Sequence, residues 1–120
     1  MQQIFEQEYA GTSSKVFAVD QPGPGNGCHK YLVEISTQGS PPFSAEINFQ
    51  KGPAKEVGLN GIQNVHLLAM VIHGLQGFQS GPYSCRENAL ALTKLEEAMH
   101  WLEARAKDRA KRGVEGLSKV

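Results

Sequence analysis

The sequence has few cysteines, no excess charge of either sign and no long hydrophobic run. Its two cysteines, Cys28 and Cys85, lie far apart in segments of different character, which is not a disulfide framework and is typical of a reducing compartment. Twelve basic residues balance twelve acidic ones, so no global field attracts nucleic acid or a membrane. The longest apolar run, residues 67–72, is too short to cross a bilayer, and residues 1–11 lack the pattern of a signal peptide. We therefore expect a cytosolic protein with no membrane or nucleic-acid partner.

The sequence also lacks the patterns of common catalytic and metal sites. Asp20 and Asp108 are the only aspartates, and no serine or cysteine stands in the setting of an activated nucleophile. The glycine-rich segment 23–27 has no Lys-Ser/Thr pair and precedes a strand, so it predicts a flexible loop and not a phosphate-binding loop. Metal-ligand spacing is missing among the cysteines and histidines, which are Cys28, His29, His66, His73, Cys85 and His100. These absences predict a protein that is not an enzyme and holds no metal or cofactor.

The first half of the chain reads as a small antiparallel sheet of three or four strands. Alternating apolar residues indicate strands at 30–37 and 43–49, and a shorter β-like run covers 16–19. Lys51-Gly52 predicts a tight turn into a further edge strand at 53–57. Clusters of glycine and proline separate these runs and become rare after residue 60.

The second half reads as two antiparallel helices joined at Gly81-Pro82-Tyr83-Ser84. Asn60 with Gln63, and Ser84 with Glu87, have the spacing of capping boxes that start the two helices. The second helix is long and is stopped by Gly113. The predicted fold is therefore α+β, a small antiparallel sheet followed by a helical hairpin with a long C-terminal helix. We expect one domain over 1–120, with a β part at 1–58, the hairpin at 60–113 and a tail at 114–120.

Basic residues gather at the end of the second helix. Arg105, Arg109 and Arg112 recur at a spacing that places them on one helical face. One interpretation is a solvated face that complements the helix dipole. The other is a row of guanidinium groups for phosphates, since their forked donors match phosphate oxygens. The pattern alone leaves both open.

A second group of candidate binding residues flanks the hinge between the helices. Phe78 precedes it, and Arg86 and Asn88 follow it. An aromatic ring, an amide and a guanidinium can stack on a purine, hydrogen-bond its edge and hold its phosphate. The alternative for Phe78 is ordinary core packing.

The distance between the two groups predicts a shared site. Asn88 and Arg105 are seventeen residues apart, about 25 Å along one helix at roughly 1.5 Å per residue. A nucleotide cannot touch both within one chain. If both bind it, two chains must pair antiparallel, so that the hinge of one meets the tail of the other in a homodimer with two sites.

Several segments together resemble the phage Thoeris anti-defence one family. They are the run 58–64, residues 67–69, Phe78-Gln79, and above all the run 86–98 followed by Trp101-Leu102. The second-helix pattern is also similar to the hairpin of some anti-CBASS sponge proteins. The resemblance covers about residues 30–113 and is most specific in the second helix.

The resemblance implies a phage protein that evades host immunity in the cytoplasm of the infected bacterium. Members bind and sequester a cyclic nucleotide signal, glycocyclic ADP-ribose, without cleaving it. Some assemble from dimers into hexamers that also hold CBASS cyclic oligonucleotides. Carried over position by position, the ligand contacts fall on Phe78, Asn88 and Arg105, and a basic residue of the early loop, His29 or Lys30, completes the site. Two other functions stay open: a nucleic-acid-binding regulator that uses the basic tail, which net neutrality disfavours, and a purely structural dimerisation module.

Overall fold

The computed structural model describes residues 1–120, and their contacts divide the chain into two compact units, Met1–Gly61 and Ile62–Val120. The first unit holds a four-stranded antiparallel sheet in the order β1-β2-β3-β4. Its strands are β1 (Gln2–Tyr9), β2 (Thr12–Ala18), β3 (Lys30–Thr37) and β4 (Phe43–Asn48), and a short helix, α1 (Ala54–Val57), follows them. The second unit holds α2 (Asn64–Gln79) and α3 (Arg86–Lys111). The predicted α+β class is confirmed, while the prediction that the two units act as one domain stays a prediction.

The sequence reading missed β1, because its eight residues are mostly polar and all are exposed. The turn that joins it to β2 has two residues with positive φ, Ala10 at 51° and Gly11 at 81°, which is the geometry of a type I′ hairpin. Asparagine usually occupies the first of these positions, so Ala10 gave no turn signal. A bulge between Gln3 and Phe5 shifts the register near the edge of the sheet.

The sheet has one predominantly apolar face. Val16 of β2 pairs with Val33 of β3, and Val33 pairs with Ala45 of β4, so these three side chains line the same face. Phe5 of β1 joins this row through its pairing with Val16. Tyr31 packs edge-on against Phe49 with ring centroids 5.7 Å apart. Burial of the apolar residues is nevertheless partial, since Ala18, at 4% exposure, is the one apolar residue that is buried.

The expected strand at 53–57 is wrong, because residues 54–57 form helix α1. Pro53 fits the position before a helical turn as well as it fits a strand start, and its carbonyl accepts hydrogen bonds from the amides of Glu56 and Val57. Gly58 then ends the turn with a φ of 83°, which a glycine adopts without strain. The segment therefore closes on itself instead of pairing with the sheet.

Helix α2 begins later than the sequence predicted. Its N-cap is Gln63, which forms a reciprocal capping box with His66. The side-chain amide of Asn60 instead binds the backbone of Lys51. Its Oδ1 accepts from the Lys51 amide and its Nδ2 donates to the Lys51 carbonyl, each at 2.7 Å. The predicted cap of α3 is also wrong: Cys85 is the N-cap, with no side-chain hydrogen bond from Ser84.

The two helices pack against each other along matching stripes of half-buried residues. In each helix these residues recur at alternating steps of three and four, the spacing of a helix–helix seam. The stripe of α2 contains Val65, Leu68, Ile72, Leu75 and Gln79, and that of α3 contains Asn88, Leu92, Leu95, Met99 and Leu102. No helix of the chain has both the length and the apolar character needed to cross a membrane.

Two glycines in different settings test the packing of the first unit and the helicity of the second. A Cβ at Gly61 would lie 2.5 Å from the carbonyl carbon of Phe49 and 2.6 Å from the carbonyl oxygen of Asn48. Gly61→Ala should therefore destabilise the protein by about 2 kcal/mol, because rigid backbone must move. Gly74 lies within α2 with open space around it, so Gly74→Ala should stabilise by about 0.5–1 kcal/mol. Urea unfolding measures the free energy of unfolding of both variants. Equal changes in this free energy would contradict the close approach of Gly61 to the backbone of Asn48 and Phe49.

Candidate functional site

The hinge between α2 and α3 is closed by the side chain of Gln79, for which the sequence predicted no structural role. The Gln79 amide donates to the carbonyl of Cys85 at 3.1 Å and accepts from the Cys85 amide at 3.0 Å. It thereby links the last turn of α2 to the residue that caps α3, much as a pair of backbone groups would. The last carbonyls of α2 also have partners, since the backbone amide of Ser80 donates to the carbonyls of Gln76 and Gly77. The start of α3 is thus held in a fixed position relative to the end of α2.

Three of the predicted binding residues lie next to this hinge. Phe78 belongs to the last turn of α2, and Arg86 and Asn88 belong to the first turn of α3. The Phe78 ring is 54% exposed, so the alternative of core packing does not describe it. Asn88 is half-buried, while Arg86 is exposed. An exposed aromatic ring therefore stands close in sequence to amide and guanidinium donors on a closed hinge.

The first turn of α3 also favours negative charge. The amides at a helix N-terminus have no partners within the helix, and the helix dipole adds partial positive charge there. No side-chain cap occupies these amides. Glu87 supplies one negative charge in this turn, and Arg86 supplies a positive charge beside it.

The basic tail is less available than the sequence suggested. Arg109 is the only buried charged residue of the chain, at 8% exposure. Its guanidinium donates to three carbonyls of the segment that follows α3, those of Val114 at 2.9 Å, Leu117 at 3.0 Å and Lys119 at 2.8 Å. The ligand contact expected of Arg109 stays a prediction, and the structure adds that its guanidinium donors are bound by the chain itself.

Arg112 is engaged in the same region. It donates to Asp108 at 3.0 Å and to the carbonyl of Val120 at 2.9 Å. Gly113 and Gly116, with φ of 74° and 78°, allow the chain to turn back towards these two arginines. Of the three aligned arginines, Arg105 is the one that makes no hydrogen bond or ion pair, and its side chain is exposed.

His29, predicted from the early loop, lies in the first unit and is also largely enclosed. Its side chain is 13% exposed, and its Nδ1 lies 3.8 Å from a carboxylate oxygen of Asp20. The backbone amides of His29 and Lys30 both donate to that carboxylate. The imidazole is therefore a component of the loop's internal structure, and Lys30 is the exposed member of the pair.

The surroundings of Asp20 lower the pKa of its carboxyl group. Desolvation alone would raise the pKa of this carboxyl group, but hydrogen bonds from the amides of Lys30 and His29, together with the nearby imidazole, lower the pKa below its usual value. The carboxylate therefore stays ionised to lower pH than an ordinary aspartate and accepts the amides of His29 and Lys30 as a charged group.

No group of three or more histidine, cysteine or acidic side chains is placed to hold a metal ion. Both cysteines are free thiols.

Comparison with known proteins assigns the chain to a family. The profile described as "Acb2/Tad1, hairpin domain" matches residues 44–107, just over half of the chain. The chain belongs to the Acb2/Tad1 hairpin family. The match runs from β4 to the last turns of α3 and so includes the hinge, Phe78, Arg86, Asn88 and Arg105.

One curated relative is similar over much of this Acb2/Tad1 hairpin protein. It is named "Thoeris anti-defense 1", from Bacillus phage SBSphiJ7, and is 57% identical over 72 residues. That alignment covers 60% of the present chain and 51% of the relative. The chain thus spans about half the length of the curated relative it matches.

Buried Arg109 and exposed Arg105 of α3 give a matched test of the tail. Arg109→Ala should destabilise the protein by about 2 kcal/mol, because three carbonyls lose a buried charged donor. Arg105→Ala should change stability by less than about 0.5 kcal/mol, because this exposed side chain has no partner. Urea unfolding compares the two. Similar small effects would mean that the C-terminal segment does not stay on Arg109 in solution.

Proposed function

We propose that this chain is a phage anti-defence protein that binds and sequesters a cyclic nucleotide immune signal without cleaving it. The supporting observation is the exposed ring of Phe78 on a closed hinge, beside Arg86 and Asn88, within the matched hairpin. The name of the relative from the Bacillus phage points to the same biological role. The ligand class follows from the chemistry: an aromatic ring stacks on a base, an amide bonds its edge, and guanidinium groups hold phosphates.

The proposed ligand is glycocyclic ADP-ribose, with CBASS cyclic oligonucleotides as further candidates. Phe78 would stack on adenine, and Asn88 would hydrogen-bond its edge or a ribose hydroxyl. Arg105 would pair with the pyrophosphate, with Arg86 beside the hinge as a second cation. Sequestration of a scarce signal requires tight binding, and a Kd near 1 nM corresponds to about −12 kcal/mol. Such affinity needs a preorganised and enclosed pocket, so one exposed hinge is not enough.

Pairing of two chains would supply the missing enclosure. α3 separates Asn88 from Arg105 by seventeen residues, about 25 Å at roughly 1.5 Å per residue, so the two cannot meet one nucleotide within a chain. In an antiparallel homodimer the hinge of one chain would face Arg105 of the other. Such dimers would assemble further into a hexamer.

The surface of α2 favours such pairing. Its sixteen residues contain no aspartate, glutamate, lysine or arginine. Met70 and Val71 are nevertheless exposed, and so is Phe78. An uncharged helix with exposed apolar side chains is typical of a surface that another protein surface covers.

The nucleic-acid-binding alternative loses support from the tail. Two of its three aligned arginines are occupied by the chain's own carbonyls and by Asp108, so they offer few donors to a phosphate backbone. The chain as a whole is neutral. A purely structural dimerisation module would explain the surface of α2 but not the exposed donors at the hinge.

Single substitutions test which residues hold the ligand. Asn88→Ala and Arg105→Ala should each abolish capture of glycocyclic ADP-ribose while the dimer survives, because each removes a polar group that is proposed to bind the ligand. Lys107→Ala, which removes an exposed cation near Arg105, serves as the matched control and should retain capture. Isothermal titration and native mass spectrometry measure the two properties. If either variant still captures the nucleotide tightly, the residue that it replaces does not hold the ligand.

Mixed dimers test whether the site is shared between chains. Asn88→Ala and Arg105→Ala chains are co-expressed with different tags, and the heterodimer is purified through both. In an antiparallel shared site, one of its two pockets contains both intact residues and the other contains neither. The heterodimer should therefore recover binding of one ligand per dimer. No recovery would contradict a shared site, because a site built within one chain would be damaged in both copies.

A further inference from the structure

The face of α3 that points away from α2 carries two large apolar side chains that are exposed to solvent. Leu90 is 47% exposed and Trp101 is 65% exposed. The seam with α2 runs through Leu92 and Leu95, and at about 100° per residue Leu90 and Trp101 lie on the opposite side of the helix. Tryptophan is enriched where protein surfaces meet, so its exposure on a helix face without a partner indicates an interaction surface.

The spacing of these two residues suits a contact between two copies of α3. They are eleven residues apart, which is close to three turns at about 3.6 residues per turn, so they lie on one line along the helix. If two copies pair antiparallel, Leu90 of each chain meets Trp101 of the other. The two-fold axis of that pair passes between residues 95 and 96, and the same contact forms on both sides of it.

Two charged residues between them give the same register. Lys94 and Glu97 are exposed on this face, and no ion pair within the chain involves either of them. In the register set by Leu90 and Trp101, Lys94 of each chain faces Glu97 of the other. A parallel pair would instead bring Lys94 against Lys94 and Glu97 against Glu97, and such contacts between like charges cost free energy. The apolar and the charged residues therefore select the same antiparallel arrangement.

This register also agrees with the position of the proposed ligand contacts. The midpoint between Asn88 and Arg105 lies between residues 96 and 97, one residue from the two-fold axis, which is about 1.5 Å along the helix. Neither of these two residues was used to define the axis. Pairing in this register would therefore bring Arg105 of the second chain beside Asn88 at the hinge of the first.

We propose that Leu90, Lys94, Glu97 and Trp101 form a self-complementary surface through which two copies of this chain pair antiparallel along α3. The partner is thus a second copy, and it contributes Arg105 to a binding site that is incomplete in one chain. The role of this pairing in ligand capture rests on the proposed function, whereas the pairing itself does not depend on a ligand. The uncharged surface of α2 lies on the far side of the hairpin and stays available for further assembly.

Exchange of the two charges tests this surface in the full-length protein without nucleotide. Lys94→Glu sets glutamate against Glu97 twice in each pair, and Glu97→Lys sets lysine against Lys94 twice, so each variant alone should weaken pairing by at least about tenfold. A mixture of the two variants restores opposite charges at every contact and should form the heterodimer. The double variant should pair with itself again. Sedimentation equilibrium measures the affinities, and native mass spectrometry identifies the species.

Trp101 reports the same contact, because it is the one tryptophan of the chain. Its fluorescence emission should move to shorter wavelength as the protein is concentrated, since pairing removes the indole ring from water. Lys94→Glu should keep the emission of an exposed indole at those concentrations. Lys107→Glu reverses an exposed charge on another face of α3 and is the matched control, so it should pair like the unaltered protein. Unchanged pairing in either single variant, no recovery in the mixture, or a monomeric unaltered protein would overturn the inference.

A nucleotide arm separates this inference from the proposed function. Lys94→Glu alone should lose capture of glycocyclic ADP-ribose, and its heterodimer with Glu97→Lys should recover capture, because neither residue is a proposed ligand contact. If the charge exchanges alter pairing as expected but the unaltered protein captures no nucleotide, the proposed function fails and the pairing surface stands. If monomeric Lys94→Glu captures the nucleotide as tightly as the unaltered protein, the second copy does not complete the site, and that part of the inference is overturned.

Discussion

Helix α3 runs without a break from Arg86 to Lys111, and its continuity fixes the distance between the two groups of proposed ligand contacts. A straight helix of this length spans about 39 Å at roughly 1.5 Å per residue, several times the reach of a mononucleotide. Flexible loops could bring distant residues together, but a continuous helix packed on α2 cannot. The hinge and Arg105 can therefore share a ligand only if a second chain brings them together, which makes assembly a condition for the proposed activity.

Both ends of this helix are held by side chains. Gln79 connects the end of α2 to Cys85 at the start of α3, and Arg109 binds the segment that follows α3. The exposed groups at each end, Phe78 at the hinge and Arg105 near the tail, thus project from backbone whose position is already set. Such preorganisation reduces the ordering that binding must otherwise impose, which matters for a protein that is proposed to compete for a scarce signal.

The sequence predicted the features that depend on local pattern. Strands β3 and β4 and the order of sheet and hairpin followed from apolar periodicity and turn residues. The exposure of Phe78 did not follow, because the same pattern fits core packing equally well. Hydrogen bonds between distant parts of the chain could not be predicted. Asn60 had the spacing of a helix cap, but it binds Lys51, and Arg109, a candidate phosphate contact by its spacing, also donates to carbonyls up to ten residues further along. Neither choice of partner can be read from spacing, since it depends on how the chain folds back.

The central claim is that the protein captures its ligand and does not change it. The most direct measurement incubates the purified protein with glycocyclic ADP-ribose, removes unbound nucleotide by filtration, denatures the protein by heat and analyses the released nucleotide by mass spectrometry. The account predicts release of the unmodified nucleotide, at two molecules per dimer. Release of a cleaved or altered product would show catalysis, and the absence of any retained nucleotide would show that this molecule is not the ligand; either result contradicts the account.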